Sequence, residues 1–268
     1  IVGSLAAWGI LLVGAGLWAT LAVPLASFGV GLLAVAVFWP DLLGSLRHKA
    51  HVFDWQKEVW PLQWRLGLSW LSGYLLTQIQ TLILFSTTDA VAAGQMGLSL
   101  TIGNMLALIA QSVIARHVPA MAQAVAQRDW ATLDRLFRRD FLVFCGFFVS
   151  GAACCVVFVM MFLPAYYASR ILPPALFIGL LFSLFLGQVQ AALAAQLRSS
   201  RREPLVGVRM LGAVITVALA WPAARVMGVA GAVAAMLGVQ VVLILAWSVF
   251  VLWPNYWAWR IEWRPWSV

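Results

Sequence analysis

Stretches of about 20 consecutive apolar residues, the length of helix that crosses about 30 Å of hydrocarbon, recur along this sequence. Eight are counted, at residues 1–20, 22–39, 62–86, 90–115, 140–163, 174–197, 205–224 and 228–252. Each predicts an α-helix, because a segment in lipid must satisfy its own backbone groups and an open sheet cannot. The expected fold class is all-α, a polytopic membrane bundle of about eight transmembrane helices. Composition agrees. Only 10% of the residues are charged, against about 25% in a soluble domain. Glycine and proline inside several runs are ordinary for membrane helices.

A net charge of +8 and a pI near 10.3 suggest nucleic acid at first. The positions of the cations argue against that partner. They lie between the apolar runs rather than in one arm: Arg47, Lys49 and Lys57, then Arg116, Arg128, Arg135, Arg138 and Arg139, then Arg198, Arg201 and Arg202, and Arg260 and Arg264 in the tail. The alternate connections hold only Arg170 and Arg225. With Arg65 and Arg209 at the basic ends of their helices, 15 of 17 cations fall on one side. The excess of Lys and Arg makes that side cytoplasmic. Both ends of the segment are then expected in the cytoplasm, with the chain crossing the membrane several times.

The chain opens on Ile1, with no basic leader or small-residue cleavage site before the first apolar run. That predicts further sequence upstream. Cys145, Cys154 and Cys155 share one apolar run without CxxC spacing, and His48, His51 and His117 fall on polar loops far from them. These read as packing residues and not as a metal site; no cofactor is expected. The segment RDWATLDRLFRRDF (128–141) is amphipathic at helical spacing, with Trp130, Leu133, Leu136 and Phe137 on one side. It reads as an interfacial helix on anionic headgroups rather than a DNA reader. The tail LWPNYWAWRIEWRPWSV sets tryptophan beside arginine, an interface anchor.

Polar residues inside the runs are functional candidates, since burying them in lipid is costly. Amides and hydroxyls also serve as helix–helix contacts, so the question is whether they align. On the third span Arg65, Ser69, Ser72 and Gln80 fall within about 80° of one another at about 100° per residue, with Gly73 beside them and Gln78 pointing elsewhere. On the fourth, Gly97, Asn104 and Gln111 share a face, while Gln95 and Ser99 lie opposite. On the sixth, Ser183, Gly187, Gln190 and Ala194 form a stripe, with Gln188 and Gln196 off it. Three such stripes either line a wet cavity or hold dry helices together.

Arg65 stands about 6–8 Å inside its helix start at about 1.5 Å per residue. It either snorkels to the headgroups or faces an inward vestibule with Arg209 at similar depth. Paired guanidinium groups suit phosphate oxygens, and Arg116 and Arg198 would widen such a basic rim. No GxxxxGK[ST] phosphate loop occurs. Asp89 falls at an outer turn and Asp140 at an inner helix start, so no carboxylate is expected deep in a span for a proton or sodium relay. Nothing in the residue pattern predicts catalysis.

The segments WPLQWRLGLSWLSGYLLTQ (60–78) and VAAGQMGLSL (91–100) resemble the bacterial flippases of lipid-linked oligosaccharides and polysaccharides, O-antigen type, within the multidrug, oligosaccharidyl-lipid and polysaccharide exporter superfamily. The likeness lies in Trp-x-x-Gln-Trp-Arg, the following Ser and Gly-Tyr, and Ala-Gly-Gln-Met-Gly, and extends over about residues 55–255. It implies two six-helix lobes around a central cavity with alternating access. Residues 61–253 would form one lobe, 40–60 the cytoplasmic link, 1–39 the last two helices of the preceding lobe, and 254–268 a cytoplasmic aromatic-basic tail. Four helices of that preceding lobe are then unaccounted for. The resemblance assigns Arg65 to the cavity mouth and Gln95 to the second motif.

The expected function is therefore transport rather than catalysis: flipping a polyprenyl-diphosphate-linked oligosaccharide from the cytoplasmic to the outer leaflet for cell-surface polysaccharide, such as lipopolysaccharide. The expected substrate-binding residues are Arg65, Ser69, Ser72, Gln80, Asn104, Gln111, Gln190 and Arg209. Expected partners are the lipid-linked oligosaccharide, membrane lipids and other polysaccharide-assembly membrane proteins. Two alternatives remain open. One is a multidrug cation exporter of the same superfamily, which calls for a deep carboxylate. The other is a membrane glycosyltransferase or polymerase, which calls for acids or a large loop on the outer side.

Overall fold

A computed structural model describes residues 8–10, 12, 14, 18–38, 60–161, 169–198, 206–245 and 248–250. The first predicted span lies largely outside these residues, as do the basic link up to Val59 and the tail from residue 251. The chain divides into two compact units, Ile1–Val59 and Trp60–Val268. In the first, α1 (Trp18–Phe38) carries Pro24 within it, and its apolar part, Val23–Phe38, is shorter than a full crossing.

The second unit is all-helical among its described residues. It comprises α2 (Trp60–Thr77), α3 (Ile79–Thr87), α4 (Ala90–Ala115), α5 (Val118–Ala126), α6 (Trp130–Met161), α7 (Pro174–Arg198) and α8 (Val206–Val239), the last running into a π-helical turn, Gln240–Leu245. Among the described residues, five segments have the length and hydropathy to cross a membrane: Gln63–Thr87, Ala90–Ala126, Trp130–Met161, Pro174–Arg198 and Val206–Val242. The protein is by that measure an integral, multi-pass membrane protein.

The fifth segment accounts for two predicted spans. Gly228 sits at φ 58°, ψ −136° inside α8, backbone territory that an L side chain rarely enters. The chain folds back there. Ala213 and Val239 join Leu76 in one buried cluster, whereas 26 residues of straight helix would hold them about 39 Å apart. A Cβ on Gly231 would overlap the Ala223 carbonyl oxygen, so only glycine permits the reversal to be this tight.

Local chemistry sets the other boundaries. The third predicted span is α2 and α3 joined at Gln78, where Thr81 N–H bonds back to the Gln78 carbonyl at 3.3 Å, a tight i→i+3 turn. Asp89 caps α4, its Oδ1 accepting from Ala92 N–H at 2.6 Å, which satisfies one orphan donor of the first turn. Asp129 does the same before α6, accepting from Thr132 N–H at 3.0 Å.

Packing places α2 against α8, α3 between α4 and α8, and α4 against both α6 and α7. Gly103 allows α4 to approach α7 so closely that a Cβ would overlap Leu184 Cδ1. Phe144 and Phe148 of α6 close on Phe185 of α7, with ring centroids 6.2 and 5.3 Å apart. Such ring pairs add to apolar burial.

One expectation is corrected. Residues 128–141 do not form a separate interfacial helix. From Trp130 they are the first turns of α6, continuous with the membrane span. Their apolar side is covered by protein: Leu133 is fully buried with Met121, Ala124 and Val125 of α5, and Trp130, Leu136 and Phe137 pack on that cluster. The amphipathic pattern was real, but its apolar face found a neighbouring helix before it found lipid.

Candidate functional site

Three helices converge on one hydroxyl. Ser69 lies buried midway along α2, where the helix turns its small face toward α8. Its Oγ accepts from Nη2 of Arg198, in the last turn of α7, at 3.2 Å, and from Nη1 of Arg209, in the first turn of α8, at a long 3.5 Å. Gly73, one turn further along α2, leaves the space: a Cβ there would stand 3.7 Å from Arg209 Nη2. Ser72 is fully buried beside Ser69, its hydroxyl donating to the Ser69 carbonyl at 2.8 Å. Two guanidinium groups thus meet over a serine at the basic end of the bundle. Their planar forks match the oxygens of phosphate or carboxylate.

The predicted residues separate into groups. Ser69 and Arg209, both expected at the site, come together, with Arg198 in direct contact on the same hydroxyl; the expectation paired Arg209 with Arg65 instead. Arg65 is exposed at the lip of α2, its guanidinium 5.9 Å from the Trp64 ring centroid. Gln80 is fully buried, and neither amide atom has a hydrogen-bond partner among the described residues. Gln190 is also buried, its Nε2 donating to Ser248 Oγ at 2.7 Å while its Oε1 has none. Ser183 and Gln240 share that interior. The Gln240 amide lies 3.2 Å from where a Cβ on Gly187 would stand. The α7 stripe thus packs against the chain after Gly228.

Asn104 differs. It opens with Gln78 and Thr101 onto a surface groove of about 440 Å³, whose other lining residues, Met105, Leu108 and Ile109, are exposed. Gln78 points away from the α2 stripe, as predicted, and into this groove. Gln111 is half-buried, with its Oε1 unpartnered among the described residues. Gln95 and Ser99, on the opposite side of α4, are structural ties. Gln95 Nε2 donates to the Ser169 carbonyl at 2.8 Å, and Ser99 Oγ accepts from Leu172 N–H at 3.1 Å. The second family-like motif thus fastens the turn before α7.

A second correction concerns Asp140. It does not sit at a helix start but in the third turn of α6, fully buried. Its Oδ2 is 2.6 Å from His117 Nδ1 and its Oδ1 is 3.5 Å from Arg139 Nε. His117 joins α4 to α5, and a spacing of 23 residues gave no signal that the two would meet. Among the described residues, no group of three His, Cys, Asp or Glu could hold a metal ion.

No family model, curated protein or solved structure matches the chain.

Proposed function

We propose that this chain is part of a flippase that carries an oligosaccharide on a polyprenyl diphosphate across the inner membrane. The observation that carries the reading is the convergence of Arg198 and Arg209 on Ser69, at the basic end of a polytopic apolar bundle. The resemblance of residues 60–78 and 91–100 to oligosaccharide flippases supports it. In this reading the two guanidinium groups receive the diphosphate from the cytoplasmic leaflet, and Arg65 with Trp64 anchors the lip. The groove of Gln78, Thr101 and Asn104 offers hydroxyl and amide groups in place of the water that sugars lose. The polyprenyl tail stays in lipid. A negative-inside potential favours outward movement of an anion by about 2.3 kcal/mol per charge per 100 mV, and one lobe rocks against the other. No bond of the substrate is made or broken.

A cation exporter would use a buried carboxylate, and Asp140 is one. Its oxygens, however, are already engaged by His117 and Arg139, which argues against that alternative. The test is reconstitution of the full chain in vesicles holding a polyprenyl-diphosphate oligosaccharide, followed by an impermeant glycan-cleaving enzyme. Flipping makes the protected half of the glycan accessible. Glycan that stays as protected as in protein-free vesicles rules the reading out.

A further inference from the structure

A carboxylate inside a protein is costly unless it is paired. Asp140 meets that condition with a partner whose charge changes near neutral pH. Its close contact, 2.6 Å, is to the His117 imidazole; Arg139 approaches only to 3.5 Å and its side chain is 59% exposed, so solvent screens it. The imidazole is 27% exposed and the carboxylate not at all. The pair therefore opens to the surface of the bundle from the histidine side.

Among the described residues, the other charged groups nearby leave His117 as the close partner. The α4 helix brings Arg116 at its C-cap, exposed. The α5 helix, VPAMAQAVA, carries no charge. The α6 helix brings Arg139 and, a turn earlier, Asp134, Arg135 and Arg138. The α7 helix brings Arg198, which donates to Ser69.

His117 also holds an elbow. Its N–H bonds to the Ile114 carbonyl of α4 at 3.1 Å, and its carbonyl accepts from Met121 N–H of α5 at 2.9 Å. Whatever fixes this side chain fixes the junction of two helices against a third.

We propose that His117 and Asp140 form a reversible proton-binding site at the basic end of the bundle. In the neutral form His117 donates Nδ1–H to Asp140 and leaves Nε2 as an acceptor. A proton taken from water adds at Nε2 and gives an imidazolium facing the carboxylate. The contact becomes charge-assisted and stronger, clamping the α4–α5 elbow to α6. Loss of that proton to water weakens the clamp. The site is independent of what the bundle transports.

The experiment uses the full chain in lipid nanodiscs with ¹⁵N-labelled histidine, titrated from about pH 5 to about pH 9, the range that brackets an imidazole. His48→Gln and His51→Gln leave the His117 signal alone in this segment. Its ring nitrogens are expected to move reversibly between neutral and charged forms, and the Nδ1 signal is expected to report a hydrogen bond to the Asp140 carboxylate that is lost in Asp140→Asn. A ring signal that stays fixed over the range overturns the proposal, as does an Asp140→Asn chain whose Nδ1 signal matches the native one. Should Asp140→Asn fail to fold, hydrogen exchange of the native chain decides. Corrected for the intrinsic rate, the amides of 118–126 should exchange severalfold faster with the imidazole neutral than charged. Equal exchange in the two states overturns the clamp.

Discussion

At the basic end of the bundle, charged side chains meet across helices: Arg198 and Arg209 on Ser69, His117 on Asp140. Further along the helices, the buried polar groups among the described residues are neutral, and several lack a full set of partners there, as with Gln80, Ser183, Gln190 and Gln240. The difference follows from the cost of desolvation. A charge is sustained where water, a headgroup or a counter-charge is within reach. An amide or hydroxyl tolerates the interior at smaller cost, and its neighbours there are other helices. Sequence position alone made both regions look alike; burial and partners separate them into a site and a seam.

Removing one side of a buried pair tests the first region most severely. His117→Leu leaves the Asp140 carboxylate inside with only the long Arg139 contact. A loss of about 3 kcal/mol in unfolding free energy is expected, read by denaturation of the detergent-solubilised chain. Asp140→Asn should cost less, because the imidazole left behind can discharge to water.

Gly103→Ala probes the seam itself. The added methyl meets Leu184, and a cost of about 1–3 kcal/mol is expected for forcing the contact between α4 and α7. An unchanged melting temperature would mean that these helices are less closely packed than described.

Gln80→Leu has the opposite sign. Replacing an unpartnered buried amide with an apolar side chain of similar size should be neutral or stabilising, by about 1 kcal/mol at most, with transport intact. If the variant melts normally but stops transporting, Gln80 lines a wet passage and the division between the regions fails.

The smallest effect is expected at Asp129. The Thr132 side-chain hydrogen bond, then the Thr132 N–H, hold its carboxyl below the usual carboxylate value. That contribution is present above the usual value and lost as pH falls through the lower, folded one. Asp129→Asn should therefore slightly flatten the acid side of a melting-temperature profile and leave neutral pH almost unchanged.

The apolar runs announced the helical bundle, because length and hydropathy determine a span directly. The reversal at Gly228 was legible too, as the boundary between two spans. The covered face of 128–141 was not legible, since an amphipathic stripe shows that one side is apolar and not what lies against it. At the site, helical periodicity correctly put Ser69, Ser72 and Gln80 on one buried face. It could not say that Arg65, on the same angular face, stands beyond the packed part of α2. Nor could it bring Arg198 to Ser69 or His117 to Asp140, because those contacts depend on how helices distant in sequence are arranged.

The most direct test of the account is the flipping rate of the full chain carrying Arg198→Gln and Arg209→Gln, singly and together, in vesicles loaded with polyprenyl-diphosphate oligosaccharide. The guanidinium pair predicts that insertion and melting stay near native, that the double variant slows by about tenfold or more, and that Arg65→Gln slows far less. A double variant that flips at the native rate would contradict the account.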